Sequence, residues 1–461
     1  MQGSHRNPLR VAVLADSDTR WKWGALTANR IVSDSRLSGF LLRGRATPTP
    51  RQLDEVGVRA DSLREVTAVE FLREMERDAP DVIVLALVGG AVQAVLHGLA
   101  RITQDALLTQ DTLLTGATRK RPVVVTGYVG VVYEKLADGL LLRHGADVVL
   151  ANSRQDAERF RAVYEGVGAD ASAVTEAALP FLGGAPYEKN ATDTKHATDT
   201  KNDPYTVVFA AQPSVPETAA HRTYLLRRLA EHARLHPDRE VLLKLRSKPG
   251  EHTTHIEELP YQKLAQRVEG GLPANCRLVY GHMGEVLDRT DLLVTVSSTA
   301  ALESLHRRIP TAVLTDLGVR EALGNHHFTG SGCLASWDQL DAGHLPEPDE
   351  RWLARQGVAA DGAYENAFDA ARERVAELLA DAAAGGLPPI RPYYSLTTAR
   401  GYLPGILARH HLGPDGAPLP GAPAPGKDPG PVRQIVRRAA RGAYRHGVQR
   451  VAPVIRRMGE L

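Results

Sequence analysis

At 461 residues the chain exceeds one ordinary core, so two α/β domains are expected, and its 43% hydrophobic and 24% charged residues suit a soluble globular protein. Two cysteines without metal-ligand spacing, Cys276 and Cys333, an N-terminus that runs directly into a strand, and the lack of any ~18-residue apolar run argue against disulfide, secreted and membrane-spanning classes; a reduced, cytoplasmic protein is expected. The net charge of +2 hides an asymmetry: residues 432–461 hold eight arginines and one glutamate, a local +7, which leaves −5 on residues 1–431.

Strand patterns come first at 10–15 (RVAVLA), 39–43, 81–87, 122–127 and 147–151, with a weaker one at 173–179. Helix-length patterns at 67–79, 91–102 and 154–166 lie between several of them. Short, continuously apolar strands alternating with helices predict βαβ units and a doubly wound parallel sheet covered on both faces. Residues 190–201, NATDTKHATDTK, repeat a six-residue polar unit with one change and read as a linker or exposed loop. The alternation then restarts, with strands at 205–211, 240–246, 276–281, 291–296 and 310–316 and a helix at 218–236. A long helix over 363–384 is expected to close this second sheet, and a Pro/Gly/Ala linker follows Leu412.

The expected organisation is a Rossmann-like domain at 1–185, a linker at 186–204 and a second Rossmann-like domain at 205–390. A return segment and linker at 391–431 and a basic amphipathic tail at 432–461 complete it. In the tail, apolar residues from Val432 to Met458 recur at roughly helical spacing among the arginines, which suits an anionic membrane leaflet, although Gly442, Gly447 and Pro453 interrupt the pattern. A disordered or partner-bound tail is the plainer alternative. Nucleic acid is not expected, because the acidic body offers no matching basic face.

Three stretches carry candidate chemistry. In DLLVTVSSTAALESLHRRIP (291–310) a buried strand hands over to a helix through Ser297, Ser298 and Thr299. Small hydroxyl residues at a helix start either cap it or leave room for a phosphate that bonds amide and hydroxyl groups. Glu303, one turn on, faces either ribose hydroxyls or Arg307 at i+4. In EVLLKLRSKPGEH (240–252) Lys244, Arg246 and Lys248 alternate where a strand ends, followed by His252, while Gln212 ends the preceding strand. In ADSDTRWKWG (15–24) Asp16 and Asp18 directly follow the first strand, beside Arg20, Trp21 and Trp23. Loops of this kind often carry catalytic groups, a helix-capping aspartate being the bland alternative. Gly127 and Gly130 end the fourth predicted strand, as a tight turn or a close backbone approach to a ligand. There is no dinucleotide GxGxxG, HExxH, GxSxG or Walker signature.

Two Rossmann-like domains on a short linker resemble the GT-B architecture, which implies a donor nucleotide on the second domain and an acceptor on the first. Over about 25 residues, the strand–SST–helix–Glu–Pro series at 291–314 resembles the serine-pair motif of bacterial sialyltransferases and polysialyltransferases and the related region of capsule and teichoic-acid glycosyltransferases. That resemblance implies an inverting transferase taking a nucleotide sugar, with CMP-sialic acid or Kdn favoured, to a glycopolymer or glycolipid acceptor. It implies that the serine-pair unit at Ser297–Thr299 holds the donor phosphate and that an acidic residue of the first domain, Asp18 or Asp16 by position, is the acceptor base. The residues themselves add Lys244, Arg246 and Lys248 for the phosphate, Gln212 for a base or phosphate and Glu303 for the ribose; on the acceptor side stand Arg20, Gly127, Gly130 and Trp21 and Trp23, which either stack on a sugar or pack against the second domain. Those families carry a His-Pro pair where this chain has Lys248-Pro249, so general-acid assistance would fall to His252. No metal or other cofactor is expected, and the protein should lie on the inner face of the cell membrane. An epimerase or hydrolase of the same fold, or a non-catalytic assembly protein, are the alternatives.

Overall fold

The computed structural model describes residues 8–44, 46–107, 121–131, 135–188, 204–248, 251, 259–358, 363–384 and 386–420. The repeat at 190–201, His252 and the tail at 432–461 lie outside the described residues. Within them the chain forms two compact units: one runs to Phe181 and takes back Arg355–Gly357 and the chain from 363 onward, and the other holds Leu182–Ala354 with Val358.

The first unit has seven parallel strands: β1 (Arg10–Ala15), β2 (Arg36–Leu42), β3 (Ser62–Val66), β4 (Val82–Ala86), β5 (Val123–Gly127), β6 (Val148–Ala151) and β7 (Val174–Glu176). Their order is β3-β2-β1-β4-β5-β6-β7. The chain starts in the middle, builds outward to β3, then returns to the other side of β1. The loops after β1 and β4 therefore diverge, which makes that sheet edge the switch point where ligands bind in such folds. The second unit repeats the pattern with β8 (Thr206–Ala210), β9 (Glu240–Lys244), β10 (Cys276–Val279), β11 (Leu292–Thr295), β12 (Thr311–Leu314) and β13 (Leu334–Ala335), ordered β10-β9-β8-β11-β12-β13 and parallel throughout. Its switch point lies between β8 and β11. The α/β, doubly wound expectation holds for both units.

Local signals set the helices. Thr67 and Glu70 form a reciprocal capping box at the start of Ala68–Arg77, Ser153 caps Arg154–Gly166, and Thr218 caps Ala219–Leu235. The apolar face of Ala68–Arg77 buries Val69, Phe71, Leu72 and Met75, each contributing about 1.5–3 kcal/mol of transfer free energy.

One expectation changes, at residues 363–384. They form two helices, Ala363–Asn366 and Asp369–Ala384, and the longer one packs on β5, β6, β7 and helix Asp18–Ile31 of the first unit, not on the second sheet. Helical spacing shows that a face will be buried but not which sheet will bury it. Arg30 ties this return in place: it stacks on Tyr364 and Phe368 at 4.6 and 5.0 Å and bonds the Pro180 carbonyl at 3.0 Å. Further along, buried Arg121 pairs with Asp147 at 2.8 Å and donates to the Pro388 carbonyl at 2.6 Å. His97 Nε2 meets the Tyr394 carbonyl at 2.9 Å, and Ile390, Leu403, Leu407 and Leu412 enter the first core. Both cysteines are free and buried, and no described helix is long and apolar enough to cross a membrane.

Candidate functional site

In the second unit Gln212 follows β8 and Ser297–Thr299 follow β11, brought together at its switch point. Ser297 is a brace and not a ligand donor as placed. It is buried, its hydroxyl donates to the Leu323 carbonyl at 2.6 Å and accepts from Gln212 Nε2 at 3.2 Å, and its amide donates to Gln212 Oε1 at 3.0 Å. Gln212 is thereby committed to joining the two loops. Ser298 and Thr299 are half-buried. The Ser298 hydroxyl accepts the Ala300 amide at 3.2 Å, and the Ser298 amide donates to Thr295 Oγ1 at 3.1 Å. Thr299 occupies the N-cap position of helix Ala300–His306 in helical backbone geometry, and its side chain makes no capping bond. The capping reading of the hydroxyl run is thus met in part, by Ser298 at the helix start and not by Thr299.

Strand alternation puts Lys244 on the same face of the sheet as Leu242, which packs with Val208, Ala210, Leu293 and Ala300. Lys244 thus shares its face with the start of helix Ala300–His306. It is 8% exposed and its Nζ donates to the Leu245 carbonyl at 2.9 Å. Arg246 is half-buried; Lys248 is exposed, and its amide donates to Glu251 at 2.8 Å. Glu303 is buried within the first turn of the helix. Arg307, its expected i+4 partner, turns instead to Asp288 and to the carbonyls of Gly183 and Gly284 at 2.7 and 3.1 Å.

At the first unit's switch point, Asp16 is held by both oxygens. Oδ1 pairs with Arg20 at 2.8 Å, and Oδ2 accepts the Val88 amide beyond β4 at 2.9 Å. The helix cap is Ser17, with Asp18 the first helical residue. Trp21 and Trp23 are not in a loop. Both lie on the buried face of helix Asp18–Ile31, fully buried, with neither indole N–H hydrogen-bonded, so neither is placed to stack on a sugar. Gly127 is explained by the same packing: a Cβ there would sit 2.8 Å from Trp23 Cζ2 and 2.9 Å from the Leu150 carbonyl oxygen, so the glycine makes room for an indole. The Gly130 carbonyl accepts Asn152 Nδ2 at 3.0 Å, which fixes the loop.

One residue of this edge, Arg143, had no signature in the sequence, and His410 of the return segment had little more. Arg143 is buried and donates to the carbonyls of Gly127 (3.0 Å), Gly139 (2.8 Å) and Leu87 (3.2 Å), tying the ends of β4 and β5 together. Its guanidinium stacks on Tyr128 at 4.0 Å; burial lowers its pKa, with Arg20 adding to that and Tyr128 and Asp16 opposing it. His410, half-buried, belongs to the return segment. Burial holds its imidazole below the usual range, Asp16 pulls it back up, and His411 and Arg409 push it down. Only the adjacent histidines after an apolar stretch, GILARHH, hint at it in the sequence.

Among the described residues, His232, His236 and Asp341 bring ligand-type atoms within 4.8 Å of one another. The set fits a dication poorly. Asp341 already meets His232 Nδ1 at 2.6 Å and Arg228 at 2.9 Å, and Arg239 stands 3.3 Å from His232 Nε2. Two guanidiniums would flank the ion. The cluster also sits at the end of helix Ala219–Leu235, far along the chain from the loop that follows β8. It joins helices and holds no cofactor as arranged.

No curated protein matches the sequence. Among solved structures, a UDP-N-acetylglucosamine 2-epimerase from Rickettsia bellii aligns with a TM-score of 0.52 at 12% identity, over 82% of this chain and 98% of that one. A UDP-glucosyltransferase from Polygonum tinctorium capable of glucosylating indoxyl, in complex with 3,4-dichloroaniline, aligns at TM-score 0.49 and 12% identity, over 81% and 99% of the two chains. An S. aureus MnaA–UDP co-structure aligns at 0.48 and 11%, over 82% and 97%. At such identities the likeness is one of fold, the two-domain Rossmann-like arrangement of GT-B proteins. The family model described as "Putative glycosyltransferase (DUF6716)" spans residues 11–378, most of the chain, and the protein belongs to that family.

Proposed function

We propose that the protein is an inverting glycosyltransferase that takes a nucleotide-activated sugar and delivers it to a hydroxyl of a cell-surface glycopolymer or glycolipid. The observation that carries this reading is the β8/β11 switch point, where half-buried Ser298 and Thr299 lead into a helix whose first residue, Ala300, packs with Leu242 on the face that strand alternation gives to Lys244. A phosphate there meets hydroxyls, helix-start amides and a cation. Arg246 and Lys248 add positive charge, and Glu303 takes the ribose. As the sugar leaves, charge grows on the nucleotide phosphate, and fixed cations stabilise it without supplying a proton. Lys248 stands where the sialyltransferase families carry histidine, so leaving-group departure here relies on charge.

The resemblance of residues 291–314 to sialyltransferases favours a CMP-linked nonulosonic acid as donor. The solved structures of like fold include enzymes named for UDP-sugars, so both classes belong in the same assay. The basic tail at 432–458 would hold the enzyme on an anionic membrane from the cytoplasmic side, near a lipid-linked acceptor. The test is nucleotide release from CMP- and UDP-sugars with and without acceptor. Release that depends on acceptor is the expected result. Donor turnover without acceptor would replace the transferase with an epimerase or hydrolase, and no turnover or binding would leave an assembly protein.

A further inference from the structure

In the second sheet β8 lies between β9 and β11, so the loop that follows β8 runs through the middle of the switch-point edge. That loop is tied on both sides. The Ala211 amide donates to the Lys244 carbonyl at the end of β9 at 3.1 Å, and Gln212 holds Ser297 after β11 through both ends of its carboxamide. Two of the residues in AQPSVP (211–216) are prolines, which bring carbonyls but no N–H, so the loop is short of donors for its own acceptors.

Arg222 supplies them. It lies near the start of helix Ala219–Leu235 and is 2% exposed, the one buried arginine of the helix's four. One terminal nitrogen faces the carbonyls of Gln212 (3.2 Å), Pro213 (3.1 Å) and Pro216 (3.4 Å). The guanidinium stacks on buried Tyr261 at 4.2 Å, and Tyr261 meets Phe209 of β8 edge-on at 6.2 Å, so the arginine is fixed to the strand as well as to the loop. Contacts then run without a gap from Arg222 to the Gln212 main chain, from the Gln212 side chain to Ser297, and from Ser297 Oγ to the Leu323 carbonyl at 2.6 Å. We infer that Arg222 is a positioning residue of the donor site: it fixes the main chain of Gln212 and, through the Gln212 carboxamide, the turn that presents Ser298 and Thr299. Buried behind the loop, it acts through Gln212 and not on the nucleotide. This rests on the reading above that a nucleotide occupies this edge.

A double-mutant cycle of Arg222→Met and Gln212→Ala tests the role by calorimetry, using whichever of CMP, CDP, UDP and GDP binds the wild type. Thermal melts check that each variant is folded at the assay temperature. Each single variant should bind about tenfold more weakly, the scale of one hydrogen-bonded link. The double variant should also lose only about tenfold, because both changes break the same link; independent losses that multiply to about 100-fold would overturn the assignment. In acceptor-dependent turnover the donor KM should rise about tenfold, and by more than kcat falls, whereas mere loss of folded protein lowers kcat and leaves KM. Arg222→Lys keeps a cation with donors and should fall between the wild type and Arg222→Met. It also replaces the methionine variant in the cycle if that one does not fold; if neither folds, Arg222 is a stability residue and the positioning role fails. Gln212→Ala binding as tightly as the wild type would overturn the role whatever the Arg222 variants do. A wild type that binds none of the four nucleotides removes the nucleotide reading itself, while variants that bind as well as a nucleotide-binding wild type remove only the role of Arg222.

Discussion

The two sheets share a strand order and differ in how their switch-point edges are finished. In the first unit the loops after β1, β4 and β5 are knitted by Asp16, Arg20 and Arg143, and indoles fill the space beneath. In the second, one serine and one glutamine join the loops and two hydroxyl residues stay half-buried above them. The same topology thus gives two edges braced differently: at the first, Asp16 and Arg143 hold main chain across three loops, and at the second, Ser297, Lys244 and Ser298 hold main chain nearby while Ser298 and Thr299 stay half-buried. Fold alone does not say which edge binds what.

Substitutions at the first edge should therefore act on stability and those at the second on binding. Arg143→Met has the largest expected effect, about 3 kcal/mol or more, because three buried carbonyls lose their donor together. Denaturant unfolding of the wild type and variant measures it, and a loss under 1 kcal/mol would mean that water replaces the guanidinium there. Gly127→Ala should cost about 2 kcal/mol by forcing a methyl against Trp23 and the Leu150 carbonyl, read from the same curves. At the second edge the informative substitution is Glu303→Ala. It should weaken ribonucleotide binding about tenfold and erase any preference over the 2′-deoxynucleotide, as measured by calorimetry.

The smallest effect is a general one with acid. Burial lowers the pKa values of His97 and His144 in the first unit and His232 in the second. Each unfolded imidazole binds its proton at a higher pH than the folded one. Stability conferred by the neutral rings is then complete above about pH 6.5 and declines as pH falls below it. A melting temperature that stays flat from pH 7 to about pH 5 would contradict those environments.

Much of the fold was legible because buried parallel strands read as continuous apolar runs. The exceptions have physical causes. β3 is an exposed edge strand with a polar sequence, SLREV, and β13 is two residues long, so neither carries a run to detect. The tryptophans misled because charges flank them in sequence. Trp21, Ala25, Ala28 and Ile31 in fact keep helical spacing, and that spacing was the better guide. The three hydroxyls were legible as a strand-to-helix turn, but the division of labour among them depends on Gln212 and Leu323, distant in sequence. Arg143 was invisible for the same reason: its partners lie at strand ends that only the folded chain brings together.

The central claim is that the second unit's switch point grips a nucleotide through Ser298 and its neighbours. Calorimetric titration of the wild type and Ser298→Trp with CMP, CDP, UDP and GDP tests it most directly. The account predicts saturable binding of at least one nucleotide to the wild type, and its loss in the variant with the melting temperature unchanged. Equal affinity in both proteins, or no binding of any of the four to the wild type, would contradict it.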